Sequence, residues 1–307
     1  MKRLFLFAGY DKDAIIDDSL LYYLNHLSGL GDVVFVMDSD ASDTELAKVK
    51  QIPNVLYAAA QRHGEYDFGS YKRAYIWARD NKLLEKYDWV YLVNDSVLGP
   101  LFDLNPIVED LESRGVDLTG MISNEDEFIP WHIQSWFVGL SQQVATADFF
   151  DEFMCGVKRQ DCKDNIVLKY EIRLSRVIVQ RGYTAYAYSE SKCKEAGFLV
   201  YANPLTTLKS GIPCVKKAAL KNIKGVKYMN PYLHNETVLD FIFNYAKRNG
   251  IELDNAPRRF GYCKNFRLTF LSIPLCTVHH QNFRTVHNYK VCIFDKIPVL
   301  KISLRKK

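Results

Sequence analysis

Two stretches of this chain set short acidic and polar side chains directly behind apolar runs. Asp38-Ser39-Asp40-Ala41-Ser42-Asp43 follows the run at 32–37, and Asn94-Asp95-Ser96 follows the run at 88–93. In an open α/β sheet, ligand-holding groups collect at the C-terminal ends of strands. One acid in such a place is an ordinary helix cap or turn. Asn94-Asp95-Ser96 reads either as an Asx-turn or as a cluster of oxygen donors for a divalent cation and diphosphate oxygens. Glu171 sits near the start of an amphipathic stretch at 165–181. There an acid is ordinarily a solvated face or an i,i+4 partner. His132 beside Trp131 is either a satisfied strand-end histidine or a donor to a phosphate. Trp131 and Trp136 are either core aromatics or platforms for sugar rings.

These groups need a frame. Residues 3–9 and 32–37 read as buried strands and 54–59 and 88–93 as further strands, separated by helices near 17–30, 43–51 and 69–84. Continuous apolar strands alternating with helices predict a mostly parallel sheet covered by helices on both faces. Strands are expected at 116–122, 133–140 and 184–188. Helices are expected at 143–155 and 165–181, after Asn203-Pro204 to about 210, and at 235–249.

The 307 residues, 48% hydrophobic and 25% charged, exclude a disordered chain. Of the 40 Lys/Arg, eleven lie in 258–307, against one of the 36 Asp/Glu, Asp295. That leaves 29 bases and 35 acids over 1–257. An acidic body with a basic tail predicts an anionic surface or polymer as the tail's partner. No organised nucleic-acid-binding motif is present, so nucleic acid is not expected. Lys/Arg alternating with apolar residues fits an anionic membrane surface, each basic group contributing roughly 1 kcal/mol. Phe266–Leu275 echoes Tyr289–Leu300, and each copy is expected to be a short amphipathic segment turned at its proline, Pro274 or Pro298. His279, His280 and His287 lack a fourth ligand at suitable spacing for a metal. The seven cysteines are scattered without a CxxC and read as reduced thiols. The first apolar run is too short for a signal peptide, and no 18-residue apolar stretch exists. The expectation is a protein made and kept inside the cell.

Gly64-Glu65-Tyr66-Asp67-Phe68-Gly69-Ser70-Tyr71-Lys72, Tyr91–Pro100, His132–Phe137, Tyr170–Ser175 and Asn203-Pro204-Leu205 together resemble the rhamnan synthesis protein F family. The resemblance runs in order over about 1–235. It implies a bacterial glycosyltransferase with a GT-A-like, Rossmann-like fold, acting in O-antigen, capsule or rhamnose-containing wall polysaccharide assembly. It further implies a nucleotide-sugar donor, often dTDP-rhamnose, and a lipid-linked oligosaccharide acceptor. The expected location is the cytoplasmic face of the bacterial inner membrane, as a peripheral protein.

A looser similarity to family 2 GT-A transferases implies roles. Asp38 and Asp40 would contact the nucleotide. Tyr66, Asp67, Gly69 and Lys72 would close over the donor, with Asn94 and Ser96 beside it. Asp95 would steady the diphosphate through Mg2+ or Mn2+, and Glu171 would be the base of an inverting transfer. Trp131, His132 and Gln134 would face the acceptor. The chain departs from the pattern at Asn94, where an amide replaces the first acid of the DxD. Lys72 or Arg73 is then an alternative source of positive charge. The expected division is a catalytic domain over 1–255 and a basic membrane-associating extension over 256–307. A non-catalytic scaffold of a polysaccharide assembly complex is the competing reading. A nucleotide-sugar pyrophosphorylase ranks lower, since residues 9–18 are acidic where that chemistry favours a glycine-rich basic loop.

Overall fold

The structure is a computed structural model describing residues 1–127, 129–193, 195–222, 236–253, 266–270, 273–283, 286–293 and 297–305. The chain forms two compact units, Met1–Asn255 and Ala256–Lys307.

The first unit begins β1 (Arg3–Gly9), α1 (Asp18–Ser28), β2 (Asp32–Met37), α2 (Asp43–Lys50), β3 (Val55–Ala60), α3 (Tyr66–Asp80), β4 (Trp89–Asn94), β5 (Val97–Leu98) and α4 (Asn105–Ser113). It continues β6 (Leu118–Gly120), β7 (Ser123–Asn124), β8 (His132–Ile133), β9 (Phe137–Ser141), α5 (Gln142–Ala145), α6 (Asp148–Cys155) and α7 (Lys163–Ile166). After a π-turn at Val167–Glu171 come α8 (Ile172–Val179), β10 (Ala185–Ala187), α9 (Tyr188–Lys192), α10 (Ala196–Ala202), α11 (Pro204–Lys209), β11 (Val215–Lys216) and α12 (Glu236–Arg248).

Seven strands form one sheet in the order β10-β6-β9-β4-β1-β2-β3. All pairings are parallel except the two made by β9. Alternate side chains of the central strands enter opposite cores. Phe5, Phe7, Val33, Phe35, Tyr91 and Val93 pack in one cluster. Leu4, Leu6, Val34, Val36, Val90 and Leu92 pack in the other, with Phe68, Tyr71 and Tyr75 of α3. Burial on both faces is why these strands are continuously apolar, each large side chain contributing about 1.5–3 kcal/mol. Asp17 and Ser42 cap α1 and α2 by accepting from the backbone N–H groups of Leu20 and Glu45.

Several elements depart from the expected pattern. The helix expected at 143–155 is two helices, the first capped by Ser141. That expected at 165–181 contains the π-turn ending at Glu171. The helices α4, α9 and α10 and the antiparallel pair β5–β11 were not anticipated; α9 and the two β strands are only two to five residues long, too short for a period to show. Gly99, at φ +144°, allows that last pairing, since a Cβ on it would stand 2.8 Å from the Pro213 carbonyl oxygen.

The second unit contains a four-stranded antiparallel sheet: β12 (Phe266–Phe270), β13 (Ile273–Phe283), β14 (Val286–Ile293) and β15 (Ile297–Arg305). The internal echo becomes two hairpins. Pro274 pairs with Thr269 and Pro298 with Cys292, each beside a register shift in the partner strand. The prolines therefore lie one residue inside a strand, at bulges that tolerate a missing N–H, and are not the turn points.

Candidate active site

The parallel strands β1, β2 and β4 end together, and the chain after each contributes to one site. Asn94 is buried at the end of β4, and its Oδ1 accepts from the Ser96 backbone N–H at 3.0 Å, an Asx-turn. Its Nδ2 donates to Asp67 Oδ2 at 3.1 Å. Asp67, in the first turn of α3, therefore brings an acid to the place where the DxD pattern lacks one. Its carboxyl is raised above the usual range by burial and then by the nearby Glu171 charge.

Ser135 joins these groups to the π-turn. Its Oγ lies 3.3 Å from Asp67 Oδ2 and also contacts Glu171 Oε2, and its backbone N–H donates to the same Glu171 oxygen at 2.9 Å. Glu171 Oε1 lies 3.9 Å from His132 Nε2. His132 is buried and donates from Nδ1 to the Pro130 carbonyl at 2.9 Å, which leaves Nε2 as the nitrogen directed at Glu171. The π-turn thus delivers a carboxylate held by two donors on one oxygen, with the other oxygen beside a histidine.

Two lysines that were not anticipated reach the same loop. The β5–β11 pairing returns the chain alongside residues 95–98. Lys216 Nζ donates to Ser96 Oγ at 2.9 Å and lies 5.3 Å from the Trp136 ring centroid. Lys217 Nζ lies 3.2 Å from Asp95 Oδ2 and 5.0 Å from the Tyr245 ring centroid. Burial lowers Lys216 to about 7, against the charges of Glu171 and Asp67. Burial also opposes the charge on Lys217, but Asp95, Asp17 and Tyr245 hold it above the ordinary lysine value. The Asp95 carboxyl is raised by burial, with Lys217 pulling the other way.

Beside this cluster is a cavity of about 360 Å³ lined by Tyr10, Asp11, Lys12, Ala14, Ser39, Asp40 and Arg62. Its size lies within the range of small-molecule sites. The Arg62 guanidinium lies 5.1 Å from the Tyr10 ring centroid, and its backbone N–H donates to Asp40 at 2.8 Å. Cavity and cluster are linked along β1: the Asp95 backbone N–H donates to the Ala8 carbonyl at 3.2 Å, two residues before Tyr10.

The remaining expected residues are placed differently. Asp38 is buried and turns inward, accepting from the backbone N–H groups of His63 and Gly64 at 2.8 and 2.9 Å, so it anchors the 62–65 loop. Gly69 lets that loop approach α3, since a Cβ there would fall 2.7 Å from His63 Cε1. Lys72 donates to the Val157 carbonyl at 2.8 Å, and Arg73 pairs with Glu65 at 2.6 Å, so neither cation is directed to the 94–96 loop. Tyr66 is 39% exposed with φ +59°, an uncommon backbone for a tyrosine. Trp131 donates to Glu190 at 2.9 Å, and Gln134 is buried and donates to the Gly197 carbonyl at 3.2 Å. Trp136 is buried in the core and is not a ring platform.

The donor set does not fit the Mg2+ or Mn2+ expected at Asp95. Asn94 spends its oxygen on the Asx-turn, and Asp95 already faces an ammonium. Among the described residues, no three His, Cys, Asp or Glu side chains converge as ligands would.

Residues 33–253 match a family profile described as rhamnan synthesis protein F. No curated protein matches the chain. Among solved structures, the mannosyltransferase Ktr4p from S. cerevisiae in complex with GDP is similar at 9% identity and a TM-score of 0.33, over 50% of this chain and 60% of that one. Core-mannan synthase A (CmsA/Ktr4) from Aspergillus fumigatus, in its Mn/GDP form, is similar at 9% identity and a TM-score of 0.30, over 50% and 63%. The matched part is less than two thirds of each of those solved chains.

Proposed function

This chain belongs to the rhamnan synthesis protein F family, and from that premise we propose that it transfers a sugar from a nucleoside-diphosphate donor to a hydroxyl of a growing surface polysaccharide. The observation that carries the reading is the cluster at the strand ends. Two carboxylates share Ser135, and Asn94 ties one of them to the Asp95 loop, beside a cavity of nucleoside size.

In this reading the cavity holds the nucleoside. The Tyr10–Arg62 pair gives a planar surface for the base, and Asp11 and Asp40 accept from ribose hydroxyls. The anomeric carbon lies between the Asp95 loop and Glu171. The acceptor oxygen attacks that carbon, the carbon–oxygen bond to the β-phosphate breaks, and its electron pair leaves on the phosphate oxygen. Glu171 takes the hydroxyl proton, giving inversion. A divalent cation, when bound in such enzymes, offsets phosphate charge. The donor proposed is dTDP-rhamnose or a related deoxysugar nucleotide, and the acceptor a lipid-linked oligosaccharide.

The basic 256–307 unit is proposed to lie against an anionic membrane surface at the cytoplasmic face. Register places Val278, Val291 and Leu300 in one row and His279, Lys290 and Lys301 in the next, so an apolar row and a basic row follow one another along the strands. Among the described residues, no helix is long and apolar enough to cross a membrane.

A thermal-shift screen against UDP, GDP, CMP and dTDP, with and without Mn2+, tests the reading. One nucleotide should stabilise the protein, by about 2.7 kcal/mol at a hundredfold excess over Kd. Arg62→Ala should reduce that shift. No shift with any nucleotide, in folded protein, would favour the non-catalytic scaffold.

A further inference from the structure

We propose that Lys216 and Lys217 form the site for the donor's diphosphate and supply there the positive charge that a divalent cation would otherwise supply. The inference rests on the sugar-transfer reading and assigns its leaving-group site.

The geometry has three parts. Both lysines are carried by one short segment, and both reach one loop. Lys216 meets the Ser96 hydroxyl, while Lys217 meets the Asp95 carboxylate and gives its backbone N–H to the Ser96 carbonyl at 2.9 Å. The second part is an imbalance of charge. Lys216 is only 6% exposed, and the polar group it meets is a neutral hydroxyl. A buried ammonium whose hydrogen-bonded partner is neutral is costly, the Glu171 and Asp67 charges offsetting only part of its burial, and an incoming phosphate oxygen would relieve that cost. The third part is position. Asp95, the partner of Lys217, gives its backbone N–H to the Ala8 carbonyl at 3.2 Å, two residues before Tyr10, which lines the nucleoside-sized cavity. A diphosphate extending from that cavity, past Lys12 and Arg62 of its lining, toward the Asp95 loop would meet the two ammonium groups there.

The same contacts explain why the loop makes a poor cation site. A dication at Asp95 and Ser96 would stand against both ammonium groups, whose repulsion in a half-buried setting exceeds what one carboxylate offsets. During transfer the lysines give up no proton. They donate hydrogen bonds to the β-phosphate oxygens, which gain negative charge as the bond to the sugar breaks, so stabilisation grows toward the transition state.

The test is calorimetric titration of the full chain with dTDP, UDP and GDP, in EDTA and in Mn2+, beside the corresponding monophosphates. One diphosphate should bind in EDTA within about twofold of its affinity in Mn2+, and at least about tenfold more tightly than its monophosphate. Lys216→Met and Lys217→Met should each remove most of that tenfold difference while leaving monophosphate binding within about twofold. Diphosphate binding that disappears in EDTA and returns with Mn2+ would overturn the inference and leave the sugar-transfer reading standing. That comparison uses the unaltered protein, so it decides the matter even if a lysine variant does not fold. Failure of all three diphosphates to bind folded protein would remove the sugar-transfer reading and this inference together.

Discussion

Glu171 accepts both the backbone N–H and the hydroxyl of Ser135 on a single carboxylate oxygen, with the N–H at 2.9 Å. This arrangement fixes the carboxylate while its other oxygen stays directed at His132, 3.9 Å away. Ser135 is a positioning residue, and its removal tests that role. Ser135→Ala keeps the N–H donor and loses the hydroxyl, so kcat should fall about tenfold with KM within about twofold. Initial-rate kinetics read the split. A change confined to KM would show that the hydroxyl serves substrate binding instead.

The Asp95–Lys217 pair is half-buried, and breaking it should be costly. Lys217→Met leaves an uncompensated carboxylate and should destabilise the protein by about 3 kcal/mol. Asp95→Asn in the same chain should restore part of that loss, because the neutral amide needs no cation. Urea denaturation of the two single variants and the double variant gives the coupling. Strict additivity would mean that the 3.2 Å contact carries no net interaction.

Gly99 should be intolerant of a side chain. At φ +144°, with Pro213 oxygen 2.8 Å from the position of a Cβ, Gly99→Ala must displace the segment that carries both lysines. A loss of about 1–3 kcal/mol in stability is expected, accompanied by weaker diphosphate binding. Lost stability with unchanged binding would separate the β5–β11 pairing from the phosphate site.

The diphosphate affinity should fall as pH rises above neutrality. Burial brings Lys216 down to about 7, so the free protein carries this charge below pH 7 and loses it above. Affinity should weaken by up to about tenfold per pH unit until the bound-state value is passed. Folding stability should move the other way between pH 7 and the ordinary lysine value. There the unfolded chain holds the proton and the folded chain does not, so stability rises with pH. Calorimetry at pH 7 and pH 9 checks the first trend, and Lys216→Arg, charged throughout, should abolish it.

Much of this was legible in the sequence. Strands buried on both faces write themselves as unbroken apolar runs, and the runs at Leu4–Ala8, Val33–Met37 and Trp89–Val93 locate the sheet and the strand ends where the polar cluster gathers. Asp95 stands out because it follows such a run, and Glu171 because a family pattern points to it. The lysines were not legible for the opposite reason. A two-residue strand has no period, and Lys216-Lys217 reads as an ordinary solvated pair. Their only trace was punctuation, Gly99-Pro100 and Gly211-Ile212-Pro213, marking two turns that could meet. Asp38 follows a strand as Asp95 does, yet its partners are backbone N–H groups 25 and 26 residues onward, a fold-level contact that no local pattern records.

The claim that Glu171 takes the acceptor proton is tested most directly by one substitution. Glu171→Gln keeps the shape and can still meet Ser135, but it cannot accept the proton. Transfer from the donor whose nucleotide the protein binds should be followed as release of nucleoside diphosphate in the presence of acceptor. The account predicts a loss of at least about 100-fold in kcat, with nucleotide affinity within about twofold of the parent protein. Full turnover by folded Glu171→Gln would contradict it.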